Sequence, residues 1–209
     1  MGMGQVHKEP LEERSSVAEN VEPVSTQRLI SAAIEAFSER GFYGTTTRDI
    51  ATRADLSPAA IYMRHRSKAD LLYLIMRETH EELLCAMDKA LAGVDDPEER
   101  LDTLVKVHVT FHAEKHTAAR VANHELPALG IDQRAEIRKL RRQIERLVDE
   151  TLASGTTTGV FTVSDVRATT FLILSMGIGV SRWFRPDGRL SPEELGEVYA
   201  GLVARMVAP

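Results

Sequence analysis

Between Thr46 and Lys68 the chain reads TTRDIATRADLSPAAIYMRHRSK, in which Arg48, Arg53, Arg64, Arg66 and Lys68 face only Asp49 and Asp55, five cations against two carboxylates and a local balance of +3. Cations gathered on so short a stretch, with hydroxyls at Thr46, Thr47, Ser57 and Tyr62, are suited to phosphate oxygens and base edges. A second constellation is His108, His112 and His116, one every four residues, with His124 and Glu125 a little further on. Histidines at i and i+4 share a helix face and can chelate zinc or nickel; the ordinary alternative is a pocket-lining or partly exposed set. A third is Ser181-Arg182-Trp183-Phe184-Arg185-Pro186, where two guanidiniums flank two flat apolar rings. That segment fits phosphates and an adenine or hydrocarbon, and equally a helix C-terminus whose arginines complement the dipole.

The elements that must carry these groups are helices, and no convincing strand is found. Ile50 and Ala51 form the inward face of a short helix, Asp55-Leu56-Ser57 is a polar turn with Leu56 as its apolar plug, and Ser57-Pro58 caps and opens a second helix. This is a helix-turn-helix, so double-stranded DNA is the expected partner. Upstream, Leu29, Ile30, Ala33, Ile34 and Phe37 make one stripe of a helix over about 26–40 that ends at Gly41. Ser67 and Asp70 start a long helix to about Leu91, and Gly93 to Pro97 is a hinge. Beyond it helices are expected over 97–115, 118–126, 132–154, 164–184 and 191–207, with Gly155 to Gly159 a loop and Ser164 a cap. Residues 1–24, acidic and aperiodic, are expected to be a disordered tail.

Composition limits the function classes. The 209 residues are 43% hydrophobic, ample for a buried core, and the net charge is −5, so the acidity lies outside the basic module. The longest apolar stretch, Phe171 to Val180, is too short to cross a bilayer, and no apolar leader is evident. Cys85 is the only cysteine, so an intrachain disulfide is impossible and a cytoplasmic home is expected. No membrane partner and no cofactor are called for.

The segments ERGFYGTT, TRDIATRADLSPAAIY and SKADLL, in that order, resemble the DNA-binding domain of the TetR family of transcriptional regulators. The resemblance implies an all-α chain: after the tail, a three-helix domain over 25–84 and an effector-binding and dimerisation domain of about six helices over 85–209. It implies a homodimer on a palindromic operator, released by a small-molecule effector, with no catalytic activity. The family's Tyr-x-His-Phe is here Tyr62-Met63-Arg64-His65. Arginine at 64 suits phosphate and can also reach a guanine edge. Candidate DNA contacts are Thr46, Thr47, Arg48, Ser57, Ala59, Ala60, Tyr62, Met63, Arg64, His65 and Lys68, the last as a point charge for phosphate.

One motif reads one half-site, so recognition helices of a dimer should stand roughly 34 to 36 Å apart or a multiple of it. Small or apolar residues on the last two long helices, Ala168, Leu172, Ser175, Met176, Gly179, Gly196, Ala200, Leu202 and Ala204, are candidates for that contact, with ordinary intrachain packing as the alternative. The segment around Arg182 to Pro186, with Leu190-Ser191, resembles actinobacterial TetR-type repressors of lipid and sterol catabolism, whose effectors are CoA thioesters. Effector candidates are therefore His108, His112, His124, Glu125, Arg182, Trp183, Phe184 and Arg185. Arg138, Lys139, Arg141 and Arg142 can assist there, but alternating with apolar positions they read more as a solvated face. Two other readings stay open: an activator or ligand-independent regulator, and, more remotely, a metal-dependent hydrolase built on His108, His112 and His116.

Overall fold

The computed structural model describes residues 13–57 and 67–209, with side chains described from Thr26 onward. The described residues are helical, without strands, in the order α1 (Glu13–Gly44), α2 (Thr47–Ala54), α3 (Lys68–Ala90), α4 (Pro97–Glu114), α5 (His116–His124), a 3-10 turn (Leu126–Ala128), α6 (Ile131–Thr158), α7 (Val166–Trp183) and α8 (Pro192–Val207). Short polar signals set most of these starts. Thr46 and Asp49 form a reciprocal capping box on α2, Asp96 caps α4 ahead of Pro97, and Ser191 and Glu194 repeat the box on α8.

Two apolar cores result, and α3 runs through both. Leu29, Ala33 and Phe37 of α1, Ile50, Ala51 and Ala54 of α2, and Leu71 to Met76 of α3 form the first. Leu83, Met87 and Leu91 belong to the second, with buried residues of α4, α6, α7 and α8. The expected boundary near residue 84 thus falls inside one unbroken helix. The first core also takes in Val121, Ala122, Leu129 and Ile137, so α5 and the start of α6 are built into the N-terminal domain.

Several expected boundaries move. α1 begins at Glu13, inside the stretch expected to be a disordered tail; acidic residues suit the positive end of a helix. The same helix bends at Gly41, whose φ of 71° lies in the left-handed region. α5 starts at His116, two residues before the expected Ala118. The cap of α7 is Asp165, whose carboxylate accepts from the Ala168 N–H at 2.9 Å, instead of Ser164.

The largest difference is at Gly155 to Thr158, expected to be a loop but part of α6. Thr156, Thr157 and Thr158 donate their hydroxyls to the carbonyls of Leu152, Ala153 and Ser154, so their side chains find partners within the helix instead of leading the chain into a turn. Gly155 is there for packing: a Cβ would overlap the ring of Phe161.

Candidate DNA-binding module and effector cavity

The helix-turn-helix begins at a reciprocal cap. Thr46 accepts from the Asp49 N–H at 3.1 Å, and Asp49 accepts from the Thr46 N–H at 2.9 Å; hydrogen bonds from Thr46 hold the Asp49 carboxyl below its usual range. The turn residue Asp55 is left-handed (φ 55°), and the Leu56 N–H reaches the Ala51 carbonyl at 2.9 Å. Thr46, Arg48 and Ser57 are exposed and Thr47 is half-buried. Ala59, Ala60, Tyr62, Met63, Arg64 and His65 lie outside the described residues.

Two cations of the module face other protein groups. Arg53 pairs with Glu39 at 2.6 Å and Glu35 at 3.1 Å on α1, and these carboxylates, Glu39 foremost, raise its pKa further. Lys68, expected to meet phosphate, turns inward. Its ammonium donates to the carbonyls of Phe42 and Thr45 at 2.6 Å each, and burial draws its pKa down. An ammonium has three donors, and two are used in tying α3 to the α1–α2 connection.

In the C-terminal domain a cavity of about 140 Å³ opens between α3, α4, α5, α6 and α7. Leu83, Phe111, Ile144, Phe171, Leu174 and Ile178 supply apolar wall, and His80, His108, His112, Asn123 and Arg141 supply polar wall. Carbonyl oxygens can only accept, so the hydrogen bonds assign the tautomers. His80 donates Nδ1–H to the Met76 carbonyl at 2.7 Å and accepts at Nε2 from Arg141 Nε at 3.1 Å. His112 donates Nδ1–H to the His108 carbonyl at 2.8 Å and accepts at Nε2 from the Asn123 amide at 3.3 Å. His108 donates Nε2–H to the Leu174 carbonyl at 3.1 Å, which leaves Nδ1 as an acceptor; it is buried and has no partner among the described residues.

All three imidazoles are neutral at pH 7. Burial is the main cause, lowering His80 and His112 to about 4 and His108 to about 3, with the Arg141 charge adding to the effect on His80. Arg141 itself is drawn down by burial and supported by Glu145, and its guanidinium donates to the Ala122 carbonyl at 2.9 Å.

Of the expected effector residues, only His108 and His112 reach this cavity. Phe184 is buried in the second core against the His116 ring, while Arg182, Trp183 and Arg185 are exposed. His124 is exposed, and Glu125 lies beside Gly41, its Oε1 3.3 Å from where a Cβ would stand there. His116 donates Nδ1–H to the Ala113 carbonyl, so the three-histidine face does not converge. Among the described residues no group of three His, Cys, Asp or Glu side chains is arranged to hold a metal ion.

Sequence reasoning passes over His80 and Asn123, and Arg141, read there as more solvated than assisting, lines the cavity. A signal existed for two of them: Arg141 interrupts the inward stripe Ile137, Ile144, Val148 and His80 the stripe Met76, Leu83, Met87, where a polar residue must find partners.

The candidate dimer residues divide. Gly196 and Ala200 are buried within the chain, Gly196 so close to α4 that a Cβ would meet Thr110 Oγ1 at 2.8 Å, so these two serve intrachain packing. Ala168, Leu172, Ser175, Leu202 and Ala204 are exposed, Met176 is half-buried, and Gly179 has open space above it.

Residues 29–73 match the family model of bacterial regulatory proteins of the tetR family, and residues 94–207 that of the tetracyclin repressor-like C-terminal domain. The repressor KstR2 of Mycolicibacterium smegmatis is 25% identical over 179 residues, 84% of this chain and 86% of that one. A tetR-family regulatory protein of Rhodococcus RHA1 superposes with a TM-score of 0.83 at 36% identity, over 88% of this chain and 97% of that one. AibR, solved with isovaleryl coenzyme A and operator DNA, shares the fold with a TM-score of 0.78 at 22% identity, over 85% and 97% of the two chains. Among the described residues no helix is long and apolar enough to cross a membrane. With both of its domain models matched in order and a helix-turn-helix capped as the module requires, the chain belongs to the TetR family of DNA-binding transcriptional regulators.

Proposed function

We propose that the protein is a homodimeric repressor of a palindromic operator, released when a small, largely apolar effector fills the cavity between α3 and α7. The observation that carries this reading is the position of α5. On one side its Asn123 amide bonds to His112 in the cavity wall; on the other its Arg120 guanidinium donates to the Ser38 carbonyl at 3.3 Å and to the Ser38 hydroxyl on α1. Val121 and Ala122, between them, are packed into the core of the DNA-binding domain. A ligand that displaces Asn123 therefore moves a helix that the N-terminal domain is built upon. Release follows only if the ligand prefers the arrangement with wrongly spaced recognition helices, since equal affinity for both arrangements shifts nothing.

The effector is an acyl compound, in the form of a CoA thioester. A volume of about 140 Å³ is close to that of cavities that hold one benzene-sized group. It suits a short acyl chain and excludes the nucleotide. Phe171 and Ser175 are exposed at the mouth, and Arg182 follows Ile178 by four residues along the same face of α7, where a guanidinium can meet phosphate. Selection of bound duplexes from a random pool tests the operator: a two-fold symmetric site is expected, and a pool without enrichment at low salt overturns the regulatory reading. Titrating that complex with acyl-CoA thioesters and free acids tests the effector, with release by a short-chain thioester expected.

A further inference from the structure

Two polar atoms in the cavity wall are not accounted for by the network around them. Each nitrogen of His80 and His112 has a partner, and the Asn123 amide is divided between His112 Nε2 and the Ala119 carbonyl. His108 is different. Its Nε2–Cδ2 edge lies against α7, where a Cβ on Gly177 would overlap it, and Nδ1 on the opposite side of the ring is an orphaned acceptor. A buried acceptor left without a donor costs free energy, so the site gains when a ligand brings one. The second atom group is the Arg141 guanidinium. It orients His80 through Nε and braces α5 through Nη2, which donates to the Ala122 carbonyl at 2.9 Å and reaches that of Asn123 at 3.5 Å, and among the described residues no carboxylate comes within ion-pair distance of it, Glu145 on the same wall included. Its Nη1 makes no hydrogen bond among the described residues and can serve a ligand oxygen.

The geometry points to an effector that is a small hydroxylated acyl group: an apolar body of benzene size, an acyl oxygen accepting from Arg141, and a hydroxyl donating to His108 Nδ1. This rests on the reading of the cavity as the effector site. It adds polarity to that reading, because an unsubstituted hydrocarbon chain would leave both groups unsatisfied. On the proposed reading the acyl oxygen is the thioester carbonyl; a free carboxylate presents an acceptor to the guanidinium as well, and the test separates the two.

The test is calorimetric titration of the full-length protein with toluene, phenol, benzoate, and 3- and 4-hydroxybenzoate, and with the CoA thioesters of the three acids. At least one hydroxybenzoate, free or as its thioester, is expected to bind roughly tenfold or more tightly than the matching benzoyl compound, and benzoate or its thioester more tightly than toluene. Whichever of acid and thioester binds tighter identifies the source. His108→Phe should erase the advantage of the hydroxyl while keeping that of the acyl oxygen, and Arg141→Gln should do the reverse. If toluene binds as well as every oxygenated probe, this inference is overturned and the cavity remains an effector site. If nothing binds, the effector reading falls with it.

Discussion

The ammonium of Lys68 lies 4.1 Å from the centre of the Phe42 ring while donating, at 2.6 Å, to the carbonyl of the same residue. One side chain thereby holds both faces of the corner between α1 and α2, and its second hydrogen bond, to the Thr45 carbonyl, fixes the entry into the helix-turn-helix. Charged hydrogen bonds of this kind contribute about 1.5–3 kcal/mol each, and the ring contact somewhat less. Lys68→Met should therefore lower stability by about 2–3 kcal/mol. The dependence of DNA affinity on salt should keep its slope, because a lost phosphate contact removes about one unit from it and two of the three Lys68 donors are already bound to carbonyls. A slope reduced by one unit, with unchanged melting, returns Lys68 to the phosphate contacts.

Gly177 fits against His108 so closely that any Cβ would overlap the imidazole. Alanine is the better helix former by about 1 kcal/mol, but overpacking a tight site costs about 1–3 kcal/mol, so Gly177→Ala should be mildly destabilising at most. Its main effect is on position, since the ring has to leave the Leu174 carbonyl to which it donates. Effector affinity should drop while operator binding without effector is kept. Equal effector titrations for the two proteins would mean that His108 is not part of the binding wall.

The contrast between these two sites shows what was legible beforehand. The helix-turn-helix could be read because its signals are local: Ile50 and Ala51 mark the inward face of one short helix, and the turn Asp55-Leu56-Ser57 with Pro58 follows within a few residues. The cavity joins residues far apart in the chain, with 61 positions between Arg141 and His80 and 66 between His108 and Leu174. Histidine spacing picked out His108 and His112 but extended the pattern to His116, whose ring turns to Phe184 instead. Arg182 and Arg185 were legible as cations, with phosphate binding and a helix C-terminus both open; the choice was not legible, because exposure at a helix end depends on which neighbours pack there. Lys68 shows the same limit: its charge is a local fact, whereas the two carbonyls its ammonium meets lie 26 and 23 residues away.

Three neutral imidazoles make stability depend on pH. His80 and His112 titrate at about 4 and His108 at about 3 in the folded protein, against about 6.5 in the unfolded chain. Between those values the unfolded state binds more protons, so stability is full above about pH 7 and declines as pH falls from 6.5 towards 4. At pH 5 each imidazole accounts for about 2 kcal/mol of the loss. Denaturant midpoints measured from pH 8 to pH 5 should fall steadily below 6.5, and His80→Gln should flatten that decline by about a third. A midpoint that stays level down to pH 5 would falsify the neutral, buried assignment.

Arg120 provides a way to separate sensing from response. Its guanidinium holds Ser38 on α1 and belongs to the helix that carries Asn123. Removing it with Arg120→Leu leaves the cavity wall in place and loosens the link to the DNA-binding domain. Effector affinity should stay within about twofold, while the factor by which effector weakens operator binding shrinks; coupling energies of about 1–3 kcal/mol are typical for such links. Because linkage is reciprocal, operator DNA should also weaken effector binding less in the variant than in the parent. Coupling that is unchanged in both directions would remove α5 as the connecting element.

The exposed apolar side chains of α7 and α8 lead to the last prediction. Leu172 is 49% exposed, Val198 46% and Leu202 47%, on helices whose Gly179 and Gly201 leave open space for close approach of another backbone. A monomer gains nothing by presenting these groups to water, whereas a self-complementary face contributed by two helices that both pack on α4 is what a two-fold dimer requires. Light scattering should give about twice the chain mass of 23.2 kDa. Leu172→Glu places two like charges near the two-fold axis and should yield a folded monomer of unchanged helicity. That monomer should bind a half-site weakly and lose its preference for the full palindrome, since spacing between recognition helices exists only in the dimer. A variant that remains dimeric at micromolar concentration moves the interface to another face, and a parent protein that is monomeric there removes the dimer altogether.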